Sequence, residues 1–428
     1  MLKMIIKSFI ALFMLALASI GVSFLLFPSH LIAIKSSFSQ HLSSAYIALK
    51  GAYLDKDTLP KNHTPLTEGN NNININIKRN GTPGVGSYLP YGNFIPQKEI
   101  YVTDETALLK ALKNAPPGSD IVLASGKYQI KERSIALGNH GIKEQPIRLR
   151  AEAVGSVVLE LNSYEGFYIN KAFWIFEDLI FKGMCATDSA CEHAMHIVGD
   201  ADNLIIQNNE FINFNSHIKS NGWVNHRTRT KAFPDSVTVN HNTFINEWRR
   251  DTGSAITPLD IIGGNDWLIK QNFIADFSKA AGNQISYAAF LKGGGENGVF
   301  EDNLVSCEWK VPHQSPNDVR VGLSFGGGGT GKQYCQTEEC DVEHYNGKML
   351  KNTIVNCPND VGIYLNKALD SLLVENVVFN SVGIDVRFPE TRVTATGNVL
   401  DGRLKTRNGA KILKDDTVVI SIKEEKQL

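Results

Sequence analysis

The stretch from Ser371 to Leu400, SLLVENVVFNSVGIDVRFPETRVTATGNVL, holds two copies of one pattern. Each copy is a short alternating run rich in β-branched residues that ends in Asn, at Asn376 and again at Asn398, with an apolar residue two places further on. The copies stand 22 residues apart, and no helical period lies between them. Working outward, the same ending recurs at Asn209, Asn242, Asn272, Asn303 and Asn352, at spacings of 33, 30, 31, 49 and 24 up to Asn376. A unit of 22 to 24 residues built from short strands suits a parallel β-helix whose coils stack at about 4.8 Å. The longer spacings are loops inserted into single coils, because a surface insertion costs little closure entropy. Asn suits the strand end for two reasons: it tolerates a left-handed corner, and its amide bonds to the coil above. The seven residues are therefore expected to form a stacked ladder.

Composition narrows the rest. With 43 basic and 44 acidic residues the chain has no field to attract nucleic acid. Six cysteines suit disulfides in an oxidising compartment: Cys185 with Cys191, Cys335 with Cys340, and Cys307 with Cys357, which fall in nearly the same column of successive coils. No CxxC pair suggests zinc.

At the amino end, Ser8 to Phe27 are uncharged and long enough to cross a bilayer as a helix, with Lys3 and Lys7 on the cytoplasmic side. A cleaved signal peptide ending at Ala16-Leu17-Ala18 is the rival, but the apolar run continues beyond it. The expected organisation is an anchor over 1–29, a helix and Asn/Gly/Pro-rich linker over 30–97, and the β-helix over 98–428. The domain would lie in a bacterial-type periplasm, tethered to the inner membrane, or be secreted if the leader is cleaved. A monomer is expected.

Before the repeats, Thr103 or Asp104 begins a helix with Ala107, Leu108 and Leu112 on one face, suited to cap the open end of a solenoid. This cap, the "GKY" strand at 126–128 and the Asn-ended coils resemble the polysaccharide lyases of the chondroitinase B and alginate lyase family. The resemblance implies an all-β fold: a single-stranded right-handed parallel β-helix with an N-terminal capping helix, here preceded by a transmembrane helix.

Alternation within each coil's outward strand predicts a polar stripe: His196, then His217 with Lys219, Asp260, Lys292, Ser324, Tyr364, and Asp385 with Arg387. Gly293 to Gly295 follow Lys292 and turn the corner or admit close approach to the backbone. Long insertions in the middle coils should wall this stripe into a groove, with Trp223 and Trp309 to stack on sugars and Arg229, Lys310 and Arg320 to meet carboxylates.

The resemblance implies β-elimination on a uronate polymer by a lysine base and an arginine, with calcium on the substrate carboxylate. Lys292 matches the lysine in its strand-and-turn context. Where the arginine is expected one coil on, Ser324 and Phe325 stand, and no carboxylate precedes the lysine in "ISYAAF". Asp260, taken as one coil away at about 5 Å, would hold Lys292 as an ammonium by about 3 kcal/mol at an effective dielectric near 20. That leaves Lys219 as the other candidate base, Tyr364 as a proton donor or acceptor, and His196 as the group titrating nearest neutrality. Two functions follow: an enzyme acting on an acidic polysaccharide by elimination or epimerisation, or a non-catalytic β-helix that binds glycan or organises the cell envelope.

Overall fold

The Asn-ended strands lie side by side and in parallel. In a computed structural model, which describes residues 83–86, 94–224 and 230–420, three long sheets of twelve, eleven and ten strands run the length of the domain. Within each sheet, strands pair with those of the preceding and following coil, as in a parallel β-helix. One coil reads Ser371–Val374 in the twelve-stranded sheet, Val377–Ser381 in the eleven-stranded sheet and Gly383–Arg387 in the ten-stranded sheet. The expected anchor, and the expected helix and most of the linker within 30–97, lie outside the described residues. No described helix is long and apolar enough to cross a membrane.

The ladder occupies the corner between the twelve- and eleven-stranded sheets. Asn303 shows its logic: its Nδ2 donates to Asn352 Oδ1 at 2.9 Å and to the carbonyl of Ile269 at 2.9 Å. Its Oδ1 accepts from the backbone N and the Nδ2 of Asn272, both at 3.0 Å. The pattern links all seven residues from Asn209 to Asn398, each almost fully buried. The left-handed conformation belongs not to the ladder Asn, as expected, but to the residue before it, such as Asp302 (φ 50°), Lys351 (φ 56°) and Glu375 (φ 55°). The Asn is needed for its amide, which satisfies buried backbone groups that the corner leaves unpaired.

Inside the coils, apolar residues stack in columns, as in the row Phe181, Phe211 and Phe244 with ring centroids 4.8 and 4.9 Å apart. Each fully buried ring contributes roughly 2–3 kcal/mol. The helix Glu105–Asn114 covers the first coil with Leu108, Ala111 and Leu112, while Asp104 caps its first turn by accepting from the Ala107 N–H at 2.8 Å. The three expected disulfides are present, Cys185–Cys191, Cys335–Cys340 and Cys307–Cys357, the last joining neighbouring coils.

Residues 83–86 of the linker are bound to the domain. They cross three coils, with Gly84 N donating to the Gln271 carbonyl, Val85 N to Thr243 Oγ1 and Gly86 N to Asn208 Oδ1.

Candidate functional site

The outer face of the ten-stranded sheet carries the expected stripe, with its register altered at one rung. In the pairing, His196 stands beside Lys219, Lys219 beside Asp260, Asp260 beside Phe290, then Ser324, Tyr364 and Asp385. Lys292 pairs with Ile262, two residues further along the strand than Asp260's neighbour. The column position expected for Lys292 is thus held by Phe290, whose ring lies 4.3 Å beneath the Lys292 ammonium. The paired glycines after each strand, Gly263-Gly264 and Gly293-Gly294, carried this register in the sequence.

At the lower rungs Lys219 Nζ and Asp260 Oδ2 form an ion pair at 2.8 Å, both largely buried. Asp260 Oδ1 is buried without a hydrogen-bond partner among the described residues. His196 is fixed at both ring nitrogens, to Glu165 Oε1 at 2.9 Å and to Asn221 Oδ1 at 2.8 Å. Sequence reading missed Glu165, Asn221 and His193, whose ring lies 5.3 Å from that of His196. Burial, followed by the charges of His196 and Lys219, lowers the His193 pKa to about 3.

Lys292 itself differs from expectation. Burial lowers its pKa, and this outweighs the opposing pull of Asp260, so the lysine is biased toward the neutral amine. Its turn is built by the following loop. Gly293 (φ 79°) donates to Glu343 Oε2 at 3.0 Å, Gly294 N to the Glu343 carbonyl at 2.9 Å, and Gln336 N to the Gly293 carbonyl at 2.8 Å. A Cβ at Gly293 would come within 2.6 Å of Ile262 Cγ2, so glycine is required there. Lys231, on the hairpin after Trp223, braces the same loop through the carbonyls of Cys335 at 2.7 Å and Thr337 at 3.1 Å. Half-exposed Trp223 stands at the end of the stripe strand Ser216–Asn221, where a wall residue was expected.

Three expected site residues have other roles, one pair lies elsewhere, and one residue falls outside the described part of the chain. His217 is wholly buried, edge-on to Phe211, Phe214 and Phe244, with Nε2 3.1 Å from the Ile245 carbonyl. It sits at the strand entrance, where alternation does not yet hold. Arg320 is buried, its guanidinium shared by Asp318 and the carbonyls of Cys307 and Val311, and so fastens the loop over 307–318. Ser324 faces outward but is covered: its hydroxyl donates to the Gly326 carbonyl, and a Cβ on Gly327 would lie 3.7 Å from its Oγ. Trp309 packs edge-on to Phe273 among the outward apolar residues of the eleven-stranded sheet, with Lys310 Nζ 3.9 Å from its ring, away from the stripe. Arg229 lies outside the described residues.

Beyond the covered Ser324 rung the stripe is polar again. Tyr364 Oη accepts from Asn366 Nδ2 at 3.1 Å and from Arg387 Nη1 at 3.4 Å, and Asp385 pairs with Arg407. Tyr287, missed in the sequence, joins this group edge-on to Phe290, its pKa raised by burial and by Tyr364.

Calcium needs several oxygen ligands. Next to Lys292 the stripe presents Tyr287 and Phe290, and the two carboxylates that act on the lysine are engaged, Asp260 by Lys219 and Glu343 by Gly293 N and Thr330. Among the described residues no group of three or more His, Cys, Asp or Glu is arranged to hold a metal ion. These residues do not fit calcium.

Three histidines, His193 among them, shape the response to acid. His217 and His344 are buried with pKa values of about 3, and His344 Nε2 accepts from Gly298 N, leaving no place for a second proton there. The folded state therefore binds fewer protons than the unfolded chain between pH 6.5 and about 3, and stability falls as pH drops through that window. Melting temperature should decline steadily from about pH 7 to pH 4, and His344→Gln should flatten part of the slope.

Fold and outer face define the class: a parallel β-helix with a polar stripe on one outer sheet. The chondroitinase B family model matches residues 102–216, a span that ends at the first residue of the strand bearing Lys219 and before those bearing Asp260 and Lys292. Among solved structures, the alginate lyase from Paenibacillus sp. str. FPU-7 is 17% identical, covering 75% of this chain and 99% of that one, with a TM-score of 0.39. A mannuronic acid specific polysaccharide family 6 lyase from human gut microbiota is 17% identical over 76% and 82% of the two chains, TM-score 0.43. The A-module of a mannuronan C-5 epimerase from Azotobacter vinelandii is 12% identical over 76% and 94%, TM-score 0.40. No curated protein sequence matches the chain.

Proposed function

We propose that the chain is an extracytoplasmic enzyme that cleaves a uronate-containing polysaccharide by β-elimination, with Lys292 as the base. The observation that carries this is the contrast between the two stripe lysines. Lys219 is already engaged with Asp260 as an ion-paired ammonium, whereas Lys292 has no ion pair to a described residue and is biased by burial toward the free amine.

The amine takes the proton from the carbon beside the sugar carboxylate. The electron pair forms the double bond as the bond to the leaving glycosidic oxygen breaks, and the new ammonium returns its proton to that oxygen. The charge that grows on the carboxylate needs a cation, and the Lys219 ammonium one rung beyond Asp260 is the stripe's own source. The chondroitinase B match over the first coils supports the substrate class. The three disulfides support an oxidising compartment, and tethering by Ser8 to Phe27 rests on hydropathy alone.

The test incubates the chain with a panel of uronate polymers and follows ultraviolet absorbance of the unsaturated product. A rise with one polymer class is expected. No rise with any polymer, together with glycan binding that Lys292→Ala weakens, would replace the enzyme with a binding protein.

A further inference from the structure

The strand Gly383–Arg387 ends in a guanidinium that no described carboxylate neutralises. Apart from the exposed Arg133 and Arg403, the other described arginines are paired: Arg148 and Arg150 with Asp120, Arg249 and Arg320 with Asp318, Arg250 with Asp188, Arg392 with Asp370. Even Arg407, on the next rung, has Asp385. Arg387 instead lies 4.4 Å over the Phe388 ring, reaches Tyr364 Oη at 3.4 Å, and keeps its Nε buried without a hydrogen-bond partner.

It lines a concave pocket of about 540 Å³ together with Tyr287, Tyr364, Asn366 and Lys367. The acidic residues of that pocket do not supply the missing charge. Glu343 is occupied by Gly293 N and by the backbone N and hydroxyl of Thr330, Glu339 pairs with Lys332, and Asp341 stands exposed at the rim. A half-buried, uncompensated guanidinium with a free donor, in a cavity that also presents an amide, a hydroxyl and a lysine, suits a planar anion.

We propose that this pocket binds the carboxylate of a hexuronate unit, with Arg387 as the anchor and Tyr364 and Asn366 orienting it. The inference rests on the reading that the groove takes a uronate chain. Arg387 lies three strands beyond that of Lys292, about 14 Å at ~4.8 Å per rung, so the carboxylate it holds belongs to a sugar some units from the bond that is cut. The pocket would therefore set how long a chain must be to bind well.

Calorimetric titration with a uronate hexasaccharide, a uronate disaccharide and a neutral glucan hexasaccharide tests this. The wild type should bind the uronate hexasaccharide best. Arg387→Ala should lose at least tenfold in that affinity, Arg387→Lys should lose less, and Arg392→Ala, which removes a cation from another sheet, should behave as wild type. Should Arg387→Ala fail to fold by circular dichroism, Arg387→Lys carries the comparison. Undiminished hexasaccharide affinity in the Arg387 variants, or equal binding of the neutral glucan, overturns the pocket assignment while leaving the function intact. Failure of the wild type to bind any uronate overturns both.

Discussion

Lys292→Ala should lower the rate of unsaturated product formation by about a thousandfold, while the variant still folds and still binds polymer. The side chain is half-buried, packed on Phe290 and outside the ladder, so its removal takes away a proton acceptor and little of the scaffold. The pH profile gives a sharper check. A base must be deprotonated, so the rate should rise with pH and level off below the ordinary lysine range, because burial lowers the Lys292 pKa. Asp260 opposes that shift, hence Asp260→Asn should move the rise to still lower pH. It also frees Lys219, and activity retained in Lys292→Ala would transfer the base role to Lys219.

The second large effect concerns the ladder. Asn303→Ala should cost about 3–5 kcal/mol and lower the melting temperature by many degrees. The reason is that four buried hydrogen bonds disappear at once, and groups of both neighbouring coils are left without partners. Asn303→Asp should cost at least as much, since a carboxylate accepts but cannot donate to Asn352 and Ile269. A melting curve shifted by only a degree or two in either variant would show that the stacked strands hold without the ladder.

The coils, the ladder, the cap and all three disulfides were legible in the sequence because they follow from local alternation and from a recurring residue. Such signals survive insertions of any length between them. The site was legible in part. His196, Lys219, Asp260, Tyr364 and Arg387 fall on one face as alternation required. Lys292 was placed in the wrong column because its strand, Ile285–Lys292, is twice the length of its neighbour Leu259–Ile262. A pattern of period two gives the face but not the rung. Arg320 and Ser324 were misread for a different reason. What covers them, Asp318 in one case and the Gly326–Gly329 run in the other, comes from loops whose path no periodicity encodes. Glu343 was missed for the same cause: fifty-one residues separate it from the lysine whose turn it holds.

That tie has a practical side. Most insertions in this solenoid belong to a single coil, but the turn after Lys292 is held by Glu343 and Gln336, and their loop is in turn gripped by Lys231. Anyone moving the lysine into another β-helix, or swapping this rung for a homologous one, would have to transfer three segments as a set: the hairpin strands at 223–232, the glycine turn and the loop up to Glu343. A chimera carrying the turn alone would present the same amine on a different trajectory.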